Sequence, residues 1–141
     1  MTRSVESNSE EETVSAGRAL AAGLRAGDAV LLSGPLGAGK TAFVRGLAAG
    51  LGADPDLVSS PTFTIVQEYA GGTRLQHVDL YRLTTAEADD LGLDELGADA
   101  VLAVEWPERW RDPPADAIRV SITDATGDHR TITITSRTRG T

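Results

Sequence analysis

The sequence predicts an α/β fold of three layers, with a mostly parallel central sheet between helices and antiparallel hairpins added to it. Three observations carry that expectation. Ala29-Val30-Leu31-Leu32 runs into a glycine-rich turn and then into the apolar-periodic stretch beginning Ala42-Phe43-Val44, which reads as strand, loop, helix. Ala100-Val101-Leu102-Ala103-Val104 is a continuous apolar run, the pattern of a strand buried on both faces of a parallel sheet. Gly71-Gly72 and Gly127-Asp128 each separate two strand-like runs, as hairpin turns do.

With 141 residues the chain is long enough for one domain with a real core and short for two. Residues 9–135 are expected to form that domain, with 1–8 a flexible N-terminal segment and 136–141 a flexible tail. Cysteine is absent, which removes disulfides, thiolate zinc sites and cysteine nucleophiles. Met1-Thr2-Arg3-Ser4-Val5-Glu6 lacks the apolar centre of a signal peptide, and no stretch approaches the length of a membrane span. A soluble, cytoplasmic protein with no membrane partner is therefore expected. A net charge of −8 argues against nucleic acid as a direct ligand, because affinity for a phosphate backbone comes from clustered Lys and Arg.

Ser9-Glu10-Glu11-Glu12 is a capping-box pattern and predicts a helix over 10–24, with Val14, Ala16, Leu20, Ala21 and Leu24 near helical spacing. Gly27-Asp28 turns the chain into the strand 29–33. Gly34-Pro35-Leu36-Gly37-Ala38-Gly39-Lys40-Thr41 then has the P-loop spacing, Gly, four residues, Gly-Lys-Thr. Its glycines permit a backbone that curls N–H groups around phosphate oxygens, at the positive end of the helix that follows. Lys40, the only lysine of the chain, reaches β- and γ-phosphates as a compact charge. The Thr41 hydroxyl suits the shell of a Mg²⁺ ion. The nucleotide-contacting run is thus Leu36, Gly37, Ala38, Gly39, Lys40 and Thr41, and the fold is P-loop NTPase-like. The helix after it carries Phe43, Val44, Leu47, Ala48 and Leu51 on one face and stops at Gly52.

The runs 63–70 and 73–80 are expected to pair about Gly71-Gly72. Counting outward sets Ala70 opposite Thr73, Val66 opposite His77 and Thr64 opposite Asp79, which gathers Thr62, Thr64, His77 and Asp79 on one side of the hairpin's open end. Thr84-Thr85-Ala86-Glu87 opens another capped helix, and 94–99 reads as a short turn. The buried strand 100–104 ends in Glu105, and an acid at the carboxyl end of such a strand is placed to hold Mg²⁺ or its waters. Asp79 also ends a strand, and the residues alone do not rank the two acids. Trp106 is expected to pack beside the site, the alternative being that it lies over the nucleotide. Residues 116–123 and 130–135 form the second hairpin.

Gly34–Thr41, Ser60-Pro61-Thr62-Phe63-Thr64, His77-Val78-Asp79-Leu80-Tyr81-Arg82-Leu83 and Glu105-Trp106-Pro107-Glu108, in that order and spacing, resemble the bacterial TsaE (YjeE) ATPases of tRNA threonylcarbamoyladenosine biosynthesis. The resemblance covers roughly residues 9 to 135. It implies ATP with Mg²⁺, hydrolysis that permits repeated turnover, and work in a complex with TsaD and TsaB that meets tRNA only through that complex. Because no arginine is placed by sequence to act in cis, slow hydrolysis by the chain alone is expected. By matching positions, Lys40 and Thr41 are implied to bind phosphates and Mg²⁺, and Thr62 to sit in a switch-like segment. Asp79 and Glu105 are the implied essential acids, Glu105 toward the metal and Asp79 toward the attacking water. Ser9 or Glu10 near the adenine, Glu108 beside the nucleotide and Arg130 are further implied contacts. A small P-loop kinase, or an assembly factor gated by nucleotide with incidental hydrolysis, are the competing readings.

Overall fold

The computed structural model describes residues 2–35, 37–58, 66–124 and 127–136. In chain order these form Thr2–Ser7 (β1), Glu10–Ala21 (α1), Ala29–Ser33 (β2), Lys40–Gly50 (α2), Val66–Tyr69 (β3), Leu75–Asp79 (β4), Thr85–Asp89 (α3), Leu93–Leu96 (α4), Val101–Glu105 (β5), Ile118–Asp124 (β6) and Arg130–Thr135 (β7), with 3₁₀ turns at Pro55–Leu57 and Pro107–Arg109. The strands make one sheet in the order β1-β7-β6-β2-β5-β4-β3. Pairings among β6, β2, β5 and β4 are parallel, and those at both edges are antiparallel.

The alternation of strand side chains divides the core in two. Val30 and Leu32 of β2, Val101 and Ala103 of β5 and Val120 and Ile122 of β6 pack beneath α1 and α2, around Phe43, Val44 and Leu47. Leu31, Leu102, Val104 and Val78 face the other way, against Leu83, Ala88, Leu93 and Trp110 from α3, α4 and the segment after β5. Covered on both faces, β5 is buried along its whole length, as its uninterrupted apolar sequence requires.

The two helices of the first layer touch backbone to backbone. A Cβ on Gly46 would lie 1.9 Å from the Val14 carbonyl oxygen, and one on Gly17 would lie 2.2 Å from that of Phe43. Ser9 caps α1 by accepting from the Glu12 N–H at 3.2 Å, while Glu12 reaches back to the Asn8 N–H at 3.0 Å. The helix ends at Ala21, three residues before the expected Leu24, because Gly23 and Leu24 donate to Leu20 and Ala21 in tighter 3₁₀-type turns. Thr84 and Glu87 form the complete capping box of α3.

Two expectations need correction. Thr2–Ser7 is not a flexible segment. It is the edge strand β1, in register with β7 from Thr2 opposite Thr135 to Ser7 opposite Arg130. It satisfies a row of β7 backbone groups that would otherwise form an open edge. The β3–β4 hairpin is also one residue out of the expected register, with Gln67, not Val66, opposite His77 and Val66 opposite Val78. The loop between these strands is longer than two residues because it docks on the end of α2. Thr73 N–H donates to Leu51 O at 3.2 Å, and Gly71 lies so close that a Cβ there would be 2.8 Å from that same oxygen. The slip turns the even-numbered residues of β3 away from His77. Thr62 and Thr64 themselves lie outside the described residues, as does Leu36.

Candidate functional site

β2, β4 and β5 run parallel, so their carboxyl ends open on the same edge of the sheet, where α/β proteins hold ligands. β2 leads through Gly34 to Gly39. There φ is 107°, a left-handed conformation that side-chain-bearing residues rarely adopt, and it lets α2 begin at Lys40. Among the described residues no side chain caps this helix start, so its first-turn amides are open to act as donors.

Lys40 is 5% exposed. Its Nζ donates to Gly34 O at 2.5 Å and stands 4.2 Å from the centre of the Trp106 ring. Burial lowers the Lys40 pKa, while the charges of Glu105, Asp79 and Glu108 work against that shift. Asp79 and Glu105 are neighbours in the β4–β5 register. Burial raises the Asp79 pKa and the Glu105 charge adds to it. The Tyr81 N–H, donating to Oδ1 at 2.9 Å, together with His77 and Lys40, opposes the rise. Glu105 is 4% exposed, and its Oε2 lies at hydrogen-bonding distance, 2.5 Å, from His77 Nε2.

Trp106 follows Glu105 with φ of 61°, the one non-glycine residue with positive φ among those described. Such a conformation costs about 1–3 kcal/mol and persists where the surroundings enforce it. Here it turns the indole over Lys40 and against Tyr81, with ring centres 4.9 Å apart. Of the two positions open from sequence, packed beside the site or lying over it, the second fits, since Trp106 lines the site.

These groups line a cleft of about 580 Å³, whose other walls are Ser9, Glu10, Glu11 and Thr13 at the start of α1, Arg45 on α2, and Asp128 and Arg130 from the β6–β7 turn. Of the residues named from sequence, Gly37, Ala38, Gly39, Lys40, Thr41, Asp79, Glu105, Glu10 and Arg130 meet in this cleft. Glu108 is exposed on the 3₁₀ turn after Trp106 and acts on Lys40 through its charge without lining the cleft. Leu36 and Thr62 fall outside the described residues. Glu11, Thr13, Arg45 and Asp128 were missed. Arg45 was within reach of sequence reasoning, because it lies four residues after Thr41 and so shares its helix face. It pairs with Glu10 at 2.6 Å and ties α2 to the start of α1.

Thr41, Glu105 and Asp79 offer oxygen donors, the kind that Mg²⁺ prefers. Among the described residues no group of three or more His, Cys, Asp or Glu is arranged to hold a metal ion. The fit is therefore to an ion that takes one or two protein oxygens and completes its shell with phosphate and water.

Fold and site together define a class: an α/β protein with a glycine loop opening a helix at the carboxyl ends of its parallel strands, beside a pair of strand-end carboxylates. The family described as threonylcarbamoyl adenosine biosynthesis protein TsaE matches residues 7–132. A relative in Bacillus subtilis (strain 168), the tRNA threonylcarbamoyladenosine biosynthesis protein TsaE, is 43% identical over 129 residues, spanning 89% of this chain and 80% of its own. The protein of the same description in Streptomyces coelicolor is 48% identical over 118 residues, 79% of each chain. The crystal structure of YdiB from Bacillus subtilis superposes with a TM-score of 0.79 at 34% identity, over 96% of this chain and 86% of that one. The chain belongs to the TsaE family.

Among the described residues no helix is long and apolar enough to cross a membrane.

Proposed function

We propose that the cleft binds ATP with Mg²⁺ and hydrolyses it. On this reading the chain supports tRNA threonylcarbamoyladenosine biosynthesis in a complex with TsaD and TsaB, and meets tRNA only through that complex. One observation carries the chemical part: Lys40, Thr41, Asp79 and Glu105 line a single cleft that begins at the glycine loop.

The loop amides from Leu36 to Gly39 and the first turn of α2 cradle the phosphates. Lys40 exchanges the Gly34 carbonyl for phosphate oxygens. Thr41 and Glu105 would hold Mg²⁺, which would supply neutralisation of phosphate charge. Asp79, whose raised pKa favours accepting a proton, orients the attacking water. Thr62 acts in a switch-like segment that answers to the partners. Glu10 and Arg130 border the nucleoside end, and Glu108 adds negative charge near Lys40.

The test is phosphate release from Mg-ATP by the purified chain, alone and with the two partners, together with a search for phosphoryl transfer to added acceptors. Slow release that rises with partners is expected. Transfer to an acceptor would replace this reading by a kinase, and binding without release in either setting would replace it by an assembly factor.

A further inference from the structure

His77 lies in the core beside the cleft and has no task in the reading above. β4 directs Leu75, His77 and Asp79 to one face, and β5 directs Val101, Ala103 and Glu105 to the same face, with His77 opposite Ala103 and Asp79 opposite Glu105. The methyl group of Ala103 leaves room for the imidazole to lean along the strands toward Glu105. The ring is wholly enclosed, its Nε2 is 2.5 Å from Glu105 Oε2, and its Nδ1 is buried with no hydrogen-bond partner among the described residues. Packing alone gives no reason for an imidazole here, since an apolar side chain would fill the space and leave no polar atom unmatched. The hydrogen bond to Glu105 supplies the reason. By holding Oε2, it fixes the carboxylate and leaves Oε1 as the oxygen that serves the cleft.

We propose that His77 is a positioning residue for Glu105: its Nε2–H holds one carboxylate oxygen so that the other is presented to the Mg²⁺ ion. This inference rests on the assignment of Glu105 to the metal in the proposed function.

Glutamine and methionine test it, because both match the reach of the ring and only glutamine keeps an N–H donor. ATP affinity is measured calorimetrically across Mg²⁺ concentrations. His77→Met should raise the Mg²⁺ concentration needed for half-maximal effect at least about tenfold, the scale on which loss of a partner behind a metal ligand acts. It should leave metal-free ATP affinity unchanged, and His77→Gln should restore most of the loss. A His77→Met variant with the parent's Mg²⁺ dependence would overturn the inference, as would Gln and Met variants that fold and are equally impaired. A parent protein whose ATP affinity ignores Mg²⁺ would overturn the Glu105 assignment, and this inference with it. Nitrogen-15 NMR of the unmodified protein keeps the test open if the Met variant does not fold. A slowly exchanging Nε2–H signal from His77 that shifts when Mg²⁺ and ATP are added together is expected, and protonation at Nδ1 only would overturn the proposal.

Discussion

Lys40 has partners before any phosphate arrives, since its ammonium is bound to the Gly34 carbonyl and covered by the Trp106 ring. On the proposed reading, phosphate oxygens would displace a neutral acceptor from it and gain a charge-assisted hydrogen bond worth about 1.5–3 kcal/mol. Lys40→Ala should therefore weaken Mg-ATP binding by about 10- to 100-fold, and calorimetry showing the parent's affinity would refute the phosphate assignment. The two acids separate by their metal dependence. Glu105→Gln should abolish the Mg²⁺ dependence of ATP affinity, whereas Asp79→Asn should keep that dependence and lose hydrolysis; the reverse result would exchange their roles. Asp79 also predicts a pH effect. Burial raises its pKa, so the folded chain holds the proton more tightly than the unfolded one. The stability this gives is full below the ordinary aspartate value of about 3.9 and is lost as pH rises through the raised value. Asp79→Asn stays uncharged and can still accept from the Tyr81 N–H. Thermal melts should show it more stable than the parent at neutral pH, with the difference closing in acid.

At the scale of elements, the α1–α2 contact shows what local sequence conveys and what it omits. The capping serine, the apolar spacing and the glycine loop are each written in a few adjacent residues, so both helices and the strand before α2 were legible. That α1 and α2 meet through their backbones was not, because Gly17 and Gly46 look like ordinary weak helix positions until the partner helix is present. Gly46→Ala should destabilise the fold by about 3 kcal/mol, the upper end for overpacking, measured as a lower urea midpoint with unchanged slope. The same distinction explains the errors. The register of β3 depends on a loop resting against Leu51 and Ala53, a contact that Gly71-Gly72 cannot announce. β1 was overlooked because Thr2–Ser7 carries a single apolar residue, Val5, and an edge strand needs little more. The carboxylate pair was visible as two strand ends, but its adjacency required the order of the sheet. Asp128 and Thr13 reach the cleft only through that order as well.

For the molecule as a whole, the cleft's own arginines are already engaged. Arg45 is held by Glu10 and the Val58 carbonyl, and Arg130 by Asp124 and the carbonyls of Gly127 and His129. An arginine supplied by a partner can contribute about 10³–10⁵ in phosphoryl-transfer rate. Addition of TsaD and TsaB should therefore raise ATP hydrolysis at least about tenfold, and Thr62→Ala should reduce that stimulation more than it reduces ATP binding. Equal rates with and without partners would defeat the proposal. The pairing of β1 with β7 has a consequence for how the chain folds. It joins residue 2 to residue 135, a closure across nearly the full sequence, and contacts so remote form late because the intervening chain must first be ordered. Ser9 and Glu10 follow directly from β1, while Arg130 begins β7. The outer wall of the cleft is therefore expected to assemble at the end of folding, so that a chain caught before that step should have its glycine loop and strand ends in place but no closed site.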